Sequence, residues 1–240
     1  MKIALIGYGK MGKMVEAIAV DRKHTITAIV DPNHPQTTLK SALSDADVCI
    51  DFTTPDAVID TMRAVAAVGK PIVIGTTGWY DHINDVKDIV MRSHSGAIYS
   101  PNFSLGVNIF MDIVQHAAAM INNHSEYDIA GIEYHHNKKV DSPSGTAKAL
   151  ASILIEEINR KHTAVYECIN RQATPEELHF ASVRCGHMPG THSIMFDSPA
   201  DTITLTHQVR DRSGLALGAV VAAEWICNKK GFYTFKEMFT

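Results

Sequence analysis

KIALIGYGKMG, residues 2–12, decides the reading of the fold. Lys2-Ile-Ala-Leu-Ile6 is a short apolar run with no alternation, the pattern of a strand covered on both faces. Gly7, Gly9 and Gly12 follow in GxGxxG spacing, and the next stretch carries Met14, Val15 and Ile18 at helical intervals. Strand, glycine turn and helix in this order form a dinucleotide-binding fingerprint. Gly7 permits the tight turn, Gly9 leaves room for a pyrophosphate, and Gly12 lets the helix approach the strand. The helix start, with Tyr8, Lys10 and Met11 beside it, offers backbone N–H groups and partial positive charge to phosphates.

Outward from the turn, residues 25–30 (TITAIV) read as a second strand, ending at Asp31, 19 residues past Gly12. A carboxylate there accepts hydrogen bonds from ribose hydroxyls and repels a 2′-phosphate, which favours NADH. Lys10 and Lys13 pull toward NADPH, so use of both cofactors is expected. Further strands are predicted at 48–52, 71–74 and 97–99, and helices from Pro55 through Val68 and near 82–92. The alternation implies an α/β fold: a Rossmann-like doubly wound parallel sheet. Ligands lie beyond the carboxyl ends of such strands. Three ends are small and polar: Asp51-Phe-Thr-Thr-Pro55, Gly75-Thr76-Thr77-Gly78 and Ser100-Pro101-Asn102-Phe103.

The rhythm changes after about residue 105. A helix at 106–122, a strand at 127–134, a polar loop, a helix at 146–160 and strands at 179–184, 191–197 and 201–209 make an inserted α+β domain. The apolar stretch 214–228 is a closing helix suited to return to the first domain. The expected division is 1–105 plus 213–240 for the dinucleotide, and 106–212 for substrate and assembly.

The chain has 240 residues, 45% hydrophobic and 20% charged, with a formal net charge of −4. That composition fits a folded domain or two and gives no basic surplus for nucleic acid. No apolar run reaches the roughly 18 residues of a membrane helix. No small-residue cleavage site follows the apolar start, so no signal peptide is expected. Cys49, Cys168, Cys185 and Cys227 form no CxxC, which argues against a disulfide framework and fits a cytoplasmic protein.

The densest polar segment is Glu133-Tyr-His135-His136-Asn-Lys138-Lys139-Val-Asp141-Ser-Pro-Ser144-Gly145-Thr146-Ala147. Two imidazoles and two ammonium groups suit anion binding and proton donation near neutral pH. Ser144, Gly145 and Thr146 open a helix, whose N–H groups and hydroxyls suit a carboxylate.

This segment resembles the signature of the dihydrodipicolinate reductase family, and the resemblance runs through GYGKMG, DFTTP, GTTGW, SPNFSLGVN, RCGHMPGTH and GLALGAVVAAEW. It implies hydride transfer from NADH or NADPH to a cyclic, conjugated imine dicarboxylate in diaminopimelate and lysine synthesis, by a homotetramer. By position, His135 would protonate the ring, and Lys139 would be a second proton donor and carboxylate anchor. His136 would contact substrate, while Ser144, Gly145 and Thr146 would hold the other carboxylate. Gly7 to Gly12, Asp31, Gly75 to Thr77 and Ser100 to Phe103 would line the cofactor. Two departures stand out: Pro32 where an Arg often follows the acid, and Ser100-Pro101 where small apolar residues are common.

Cys185, His187 and His192 lie close in sequence but lack a fourth ligand, so no metal site is expected. His24, His34, His82, His94, His116 and His124 read as surface. Rival readings are another dehydrogenase of aspartate-derived metabolites and a non-catalytic nicotinamide sensor. The absence of a well-placed nucleophilic cysteine argues against a semialdehyde dehydrogenase, the His135-His136-Lys139 segment argues against that and a homoserine dehydrogenase alike, and a sensor has no use for His135 or Lys139.

Overall fold

A computed structural model of the chain describes residues 1–31 and 39–239. Pro32 and His34 lie outside the described residues. In chain order the elements are β1 (Lys2–Ile6), α1 (Lys10–Asp21), β2 (Thr25–Val30), α2 (Leu39–Ser44), β3 (Val48–Asp51), α3 (Val58–Ala67), β4 (Ile72–Ile74), α4 (Ile83–Ser93) and β5 (Gly96–Tyr99). Then come α5 (Leu105–Ile121), β6 (Asp128–His135), α6 (Gly145–Glu157), β7 (Thr163–Val165), β8 (Glu177–Arg184), β9 (Thr191–Asp197) and β10 (Thr202–Gln208). The chain ends with α7 (Ser213–Ile226) and β11 (Gly231–Thr234). Two compact units result: Met1–Leu105 with Arg212–Thr240, and Gly106–Asp211.

The first unit is a parallel sheet in the order β11-β5-β4-β3-β1-β2. Alternate residues of β1 enter different cores. Ile3 and Leu5 meet Val15 and Ala19 of α1 and Ala219, Val220 and Ala223 of α7. Ala4 and Ile6 meet Leu43, Met62, Val65, Val86 and Val90 from α2, α3 and α4. Burial on both faces is the reason the strand sequences lack alternation. From β1 the chain moves to β2 on one side, and β3 lies on the other, so the switch point of the sheet falls between β1 and β3.

Gly7 and Gly12 are demanded by this geometry. Gly7 has φ +88°, and a Cβ there would lie 2.3 Å from the Phe52 carbonyl oxygen. At Gly12 it would lie 2.3 Å from the Gly7 carbonyl oxygen, so α1 docks on the turn only without a side chain. His24 departs from the surface reading: its Nε2 is 2.7 Å from Glu224 Oε1, beside the Arg22–Glu224 pair at 2.8 Å.

The second unit is a mixed sheet in the order β10-β9-β6-β8-β7. β7, β8 and β6 run parallel, and β9 and β10 are antiparallel to their neighbours. One face packs on α5 and α6 through Ile129, Leu178, Phe180, Ile194 and Phe196 against Phe110, Val114, Leu150 and Leu154. On β6 every second residue faces this core, ending with Glu133 and His135. His135 is therefore the last residue of a strand, not part of the polar loop as its neighbours suggest.

Candidate active site

In the first unit a cleft of about 410 Å³ opens over the switch point, lined by Gly9, Lys10, Met11, Phe52, Thr53, Gly75, Thr76 and Thr77. It joins the glycine turn to two of the polar strand ends. A Cβ on Gly9 would meet nothing within 4 Å, so the cleft has open room where a pyrophosphate needs it. Gly7 and Gly12 shape the turn from behind. Asp31 accepts the Tyr8 backbone N–H at Oδ2, 2.9 Å away, which anchors the turn to the end of β2. Lys13 lies over the Tyr8 ring at 5.7 Å.

Beneath the cleft lies Asp51, fully buried. Its Oδ2 accepts the Thr76 hydroxyl at 2.7 Å and its Oδ1 the Thr53 hydroxyl at 2.8 Å. The Thr53 N–H in turn donates to Thr76 Oγ1 at 2.8 Å. Burial pushes the Asp51 carboxyl up to about 6, against the pull of these hydroxyls.

Ser100, Pro101, Asn102 and Phe103 are not in the lining of this cleft. Ser100 Oγ donates to the Asn102 carbonyl at 2.8 Å, closing the loop on itself. The Phe103 ring is core, 2% exposed and 4.8 Å from Phe235 by ring centroids. That side chain packs in the core.

The second unit gathers ionisable side chains around Glu133, which is fully buried. Its Oε1 accepts the Ser144 N–H at 3.0 Å, the Ser182 hydroxyl at 2.8 Å and an Arg184 guanidinium N–H at 3.0 Å. Its Oε2 lies 3.3 Å from His135 Nδ1 and 3.4 Å from His192 Nε2. Burial alone would raise the Glu133 carboxyl, but donors from His192, Ser144 and Ser182 outweigh it and hold the group ionised well below the usual range. Burial lowers His135 to about 4; His192, Lys139 and Arg184 add to the effect and Glu133 opposes it. His135 is thus neutral near pH 7.

Ser144 caps α6 by accepting the Ala147 N–H at 3.1 Å, and the exposed Gly145 begins the helix. Lys139 pairs with Asp141 at 2.7 Å, and Arg184 also donates to the Asp141 carbonyl at 2.7 Å. His136 is partly buried beside them. His135, Lys139, Ser144, Gly145 and Thr146 thus belong to one β6–loop–α6 segment, and Glu133 binds both ends of it.

Glu133, Arg184 and His192 are residues to which the sequence reading gave no role at this site. Cys185 and His187 stay exposed, while His192 turns inward to Glu133 and His135. Donor atoms of these last three lie within 4.8 Å of one another, close enough for a divalent cation. The Arg184 guanidinium already supplies positive charge to the same carboxylate.

A glycine turn at the switch point of a parallel sheet, with a buried imidazole–carboxylate pair in a second unit, defines a nicotinamide-dependent oxidoreductase of two domains. Residues 1–103 match the model for the dihydrodipicolinate reductase N-terminus and residues 106–239 that for the C-terminus, so the chain belongs to the dihydrodipicolinate reductase family. It is 37% identical to the 4-hydroxy-tetrahydrodipicolinate reductase of Christiangramia forsetii, over 100% of this chain and 98% of the relative. It is 34% identical to that of Staphylococcus haemolyticus, over 99% and 100%. In structure it is similar to a dipicolinate-bound dihydrodipicolinate reductase from Paenisporosarcina sp. TG-14, with TM-score 0.82, 24% identity and 99% of each chain covered.

Proposed function

We propose that the protein reduces dihydrodipicolinate, formed from 4-hydroxy-tetrahydrodipicolinate, to tetrahydrodipicolinate in diaminopimelate and lysine synthesis. Bound at the glycine-turn cleft, reduced nicotinamide supplies a hydride. The chain's own residues do the rest. The Gly145 and Thr146 N–H groups, with the Ser144 and Thr146 hydroxyls, at the capped start of α6 receive one substrate carboxylate. Lys139 exchanges Asp141 for the other. His135 delivers the proton that balances the hydride, so the ring gains two hydrogens and the nicotinamide is oxidised. Arrival of a dianion favours the charged imidazole, which the site by itself disfavours. Lys139 is a second proton donor, and His136 contacts substrate.

The observation that carries this reading is the shared carboxylate of Glu133, which joins the proton donor to the anion-receiving helix start. Asp31 at the turn supports NADH, and Lys10 in the lining supports NADPH, so both are used. On the sheet face away from the helices, Val183 and Met195 are 37% and 40% exposed, which supports assembly through that face into a homotetramer. Among the described residues no helix is long and apolar enough to cross a membrane. We place the reaction in the cytoplasm, with no nucleic-acid partner.

The test is a coupled assay. A synthase condenses pyruvate with aspartate semialdehyde, and oxidation of NADH or NADPH is followed on adding the protein. Rapid synthase-dependent oxidation with both cofactors is expected. His135→Gln and Lys139→Ala should each lose at least a hundredfold in kcat while binding NADH normally. Full activity in either variant sinks the assignment of that residue.

A further inference from the structure

The two oxygens of Glu133 have different surroundings. Three donors converge on Oε1: the Ser144 N–H from the start of α6, the Ser182 hydroxyl and the Arg184 guanidinium from β8. Oε2 faces only ring nitrogens, His135 Nδ1 at 3.3 Å and His192 Nε2 at 3.4 Å. Glu133 Oε2 and His135 Nδ1 are both buried without a formed hydrogen bond, and each lies 3.3 Å from the other. An ionised carboxylate only accepts, so a ring nitrogen held against it carries the hydrogen.

We propose that Glu133 is a positioning residue that holds His135 in its Nδ1–H tautomer, aims Nε2 at the substrate, and keys it to the helix start that binds the substrate carboxylate. This rests on His135 being the proton donor. Nε2 lies on the ring edge that faces Gly190, where a Cβ would come within 3.0 Å of it. The charged groups facing His135 are Glu133 on its own strand, His192 from β9, Arg184 from β8 and Lys139 from the loop. Only Glu133 favours the imidazolium that forms as Nε2 takes up the proton it later delivers. His192 shares the same oxygen and touches Ser144 Oγ at 3.2 Å, which closes a ring of contacts from acid to helix cap.

Glu133→Gln separates the two duties. Three donors select the amide oxygen for the Oε1 position. The NH₂ then replaces Oε2 and donates to His135 Nδ1, forcing the Nε2–H tautomer. The Ser144 contact survives. The expected result is a kcat at least a hundredfold lower, as wrong-tautomer variants of imidazole–carboxylate pairs show. KM for substrate should stay within about threefold, because uniform binding is kept. In ¹⁵N spectra of the full-length protein at pH 7, His135 should be the Nδ1–H form in the wild type and Nε2–H in the variant. Wild-type kcat in Glu133→Gln, or an unchanged tautomer, overturns the proposal. If the variant does not fold, the wild-type spectrum alone decides, and an Nε2–H resting tautomer refutes it. The control is His135→Gln: full activity there removes the proton-donor reading itself. An inactive His135→Gln beside an active Glu133→Gln removes only the role of Glu133.

Discussion

If His135 delivers the proton as proposed, delivery depends on what is absent at residue 190 as much as on what is present at 133. Gly190 has φ +155°, and a methyl group there would sit 3.0 Å from His135 Nε2 and 3.4 Å from Cδ2. Its carbonyl accepts the Val209 N–H at 2.9 Å, so the backbone has little room to retreat. Gly190→Ala should therefore place a methyl where the proton leaves the ring. The expected loss is at least tenfold in kcat/KM, because small displacements of reacting groups are costly. NADH affinity, read by fluorescence titration, should not change. A variant with wild-type kcat/KM would show that Nε2 is not the delivering atom. Under the same proposal, the Lys139–Asp141 pair at 2.7 Å is one that a substrate carboxylate would replace.

At the level of elements, the contact of α1 with the glycine turn sets the wall of the cleft formed by Gly9, Lys10 and Met11. Gly12→Ala puts a Cβ 2.3 Å from the Gly7 carbonyl, and backbone on both sides must yield. Overpacking of this kind costs about 1–3 kcal/mol. Urea unfolding should register that loss, and NADH binding should weaken at least tenfold as the helix start shifts. Unchanged stability and affinity together would mean the turn is not the cofactor's seat. The same turn shows why the first unit was legible in sequence. β1 to β5 are apolar runs separated by glycine and polar ends, and each function of Gly7 and Gly12 is local. Three elements were not legible. β7 is three residues long, α2 is a six-residue helix (LKSALS) too short to show a periodicity, and β11 (GFYT) follows two lysines and pairs with β5 from the far end of the chain. The boundary of β6 was misplaced because its buried positions 133 and 135 carry Glu and His, which breaks the apolar alternation a strand is recognised by. Arg184 and His192 were hidden for a related reason. They reach Glu133 from β8 and β9, some fifty residues downstream, and no local pattern marks them.

Over the whole molecule, two buried groups tilt stability in opposite directions across one pH window. Asp51 has a folded-state value near 6 against 3.8 unfolded. Between those values the folded chain holds a proton that the unfolded chain has released, so acidification through 6 toward 3.8 stabilises the fold and raising the pH undoes this. Each pH interval of one between the two values is worth about 1.36 kcal/mol, which makes the full effect about 3 kcal/mol. His135 runs the other way. Its folded value near 4 lies below the 6.5 of a free imidazole, so acidification from 6.5 to 4 protonates the unfolded chain first and costs stability of similar size. Asp51→Asn removes the first effect and leaves the second. Urea unfolding of the wild type and Asp51→Asn at pH 7.5 and pH 4.5 reads the balance. The difference in stability between the two should move toward the wild type by about 2 kcal/mol at the lower pH. A constant difference would mean that the Asp51 carboxylate, held by the Thr53 and Thr76 hydroxyls, stays charged beneath the cleft down to the ordinary carboxylate range.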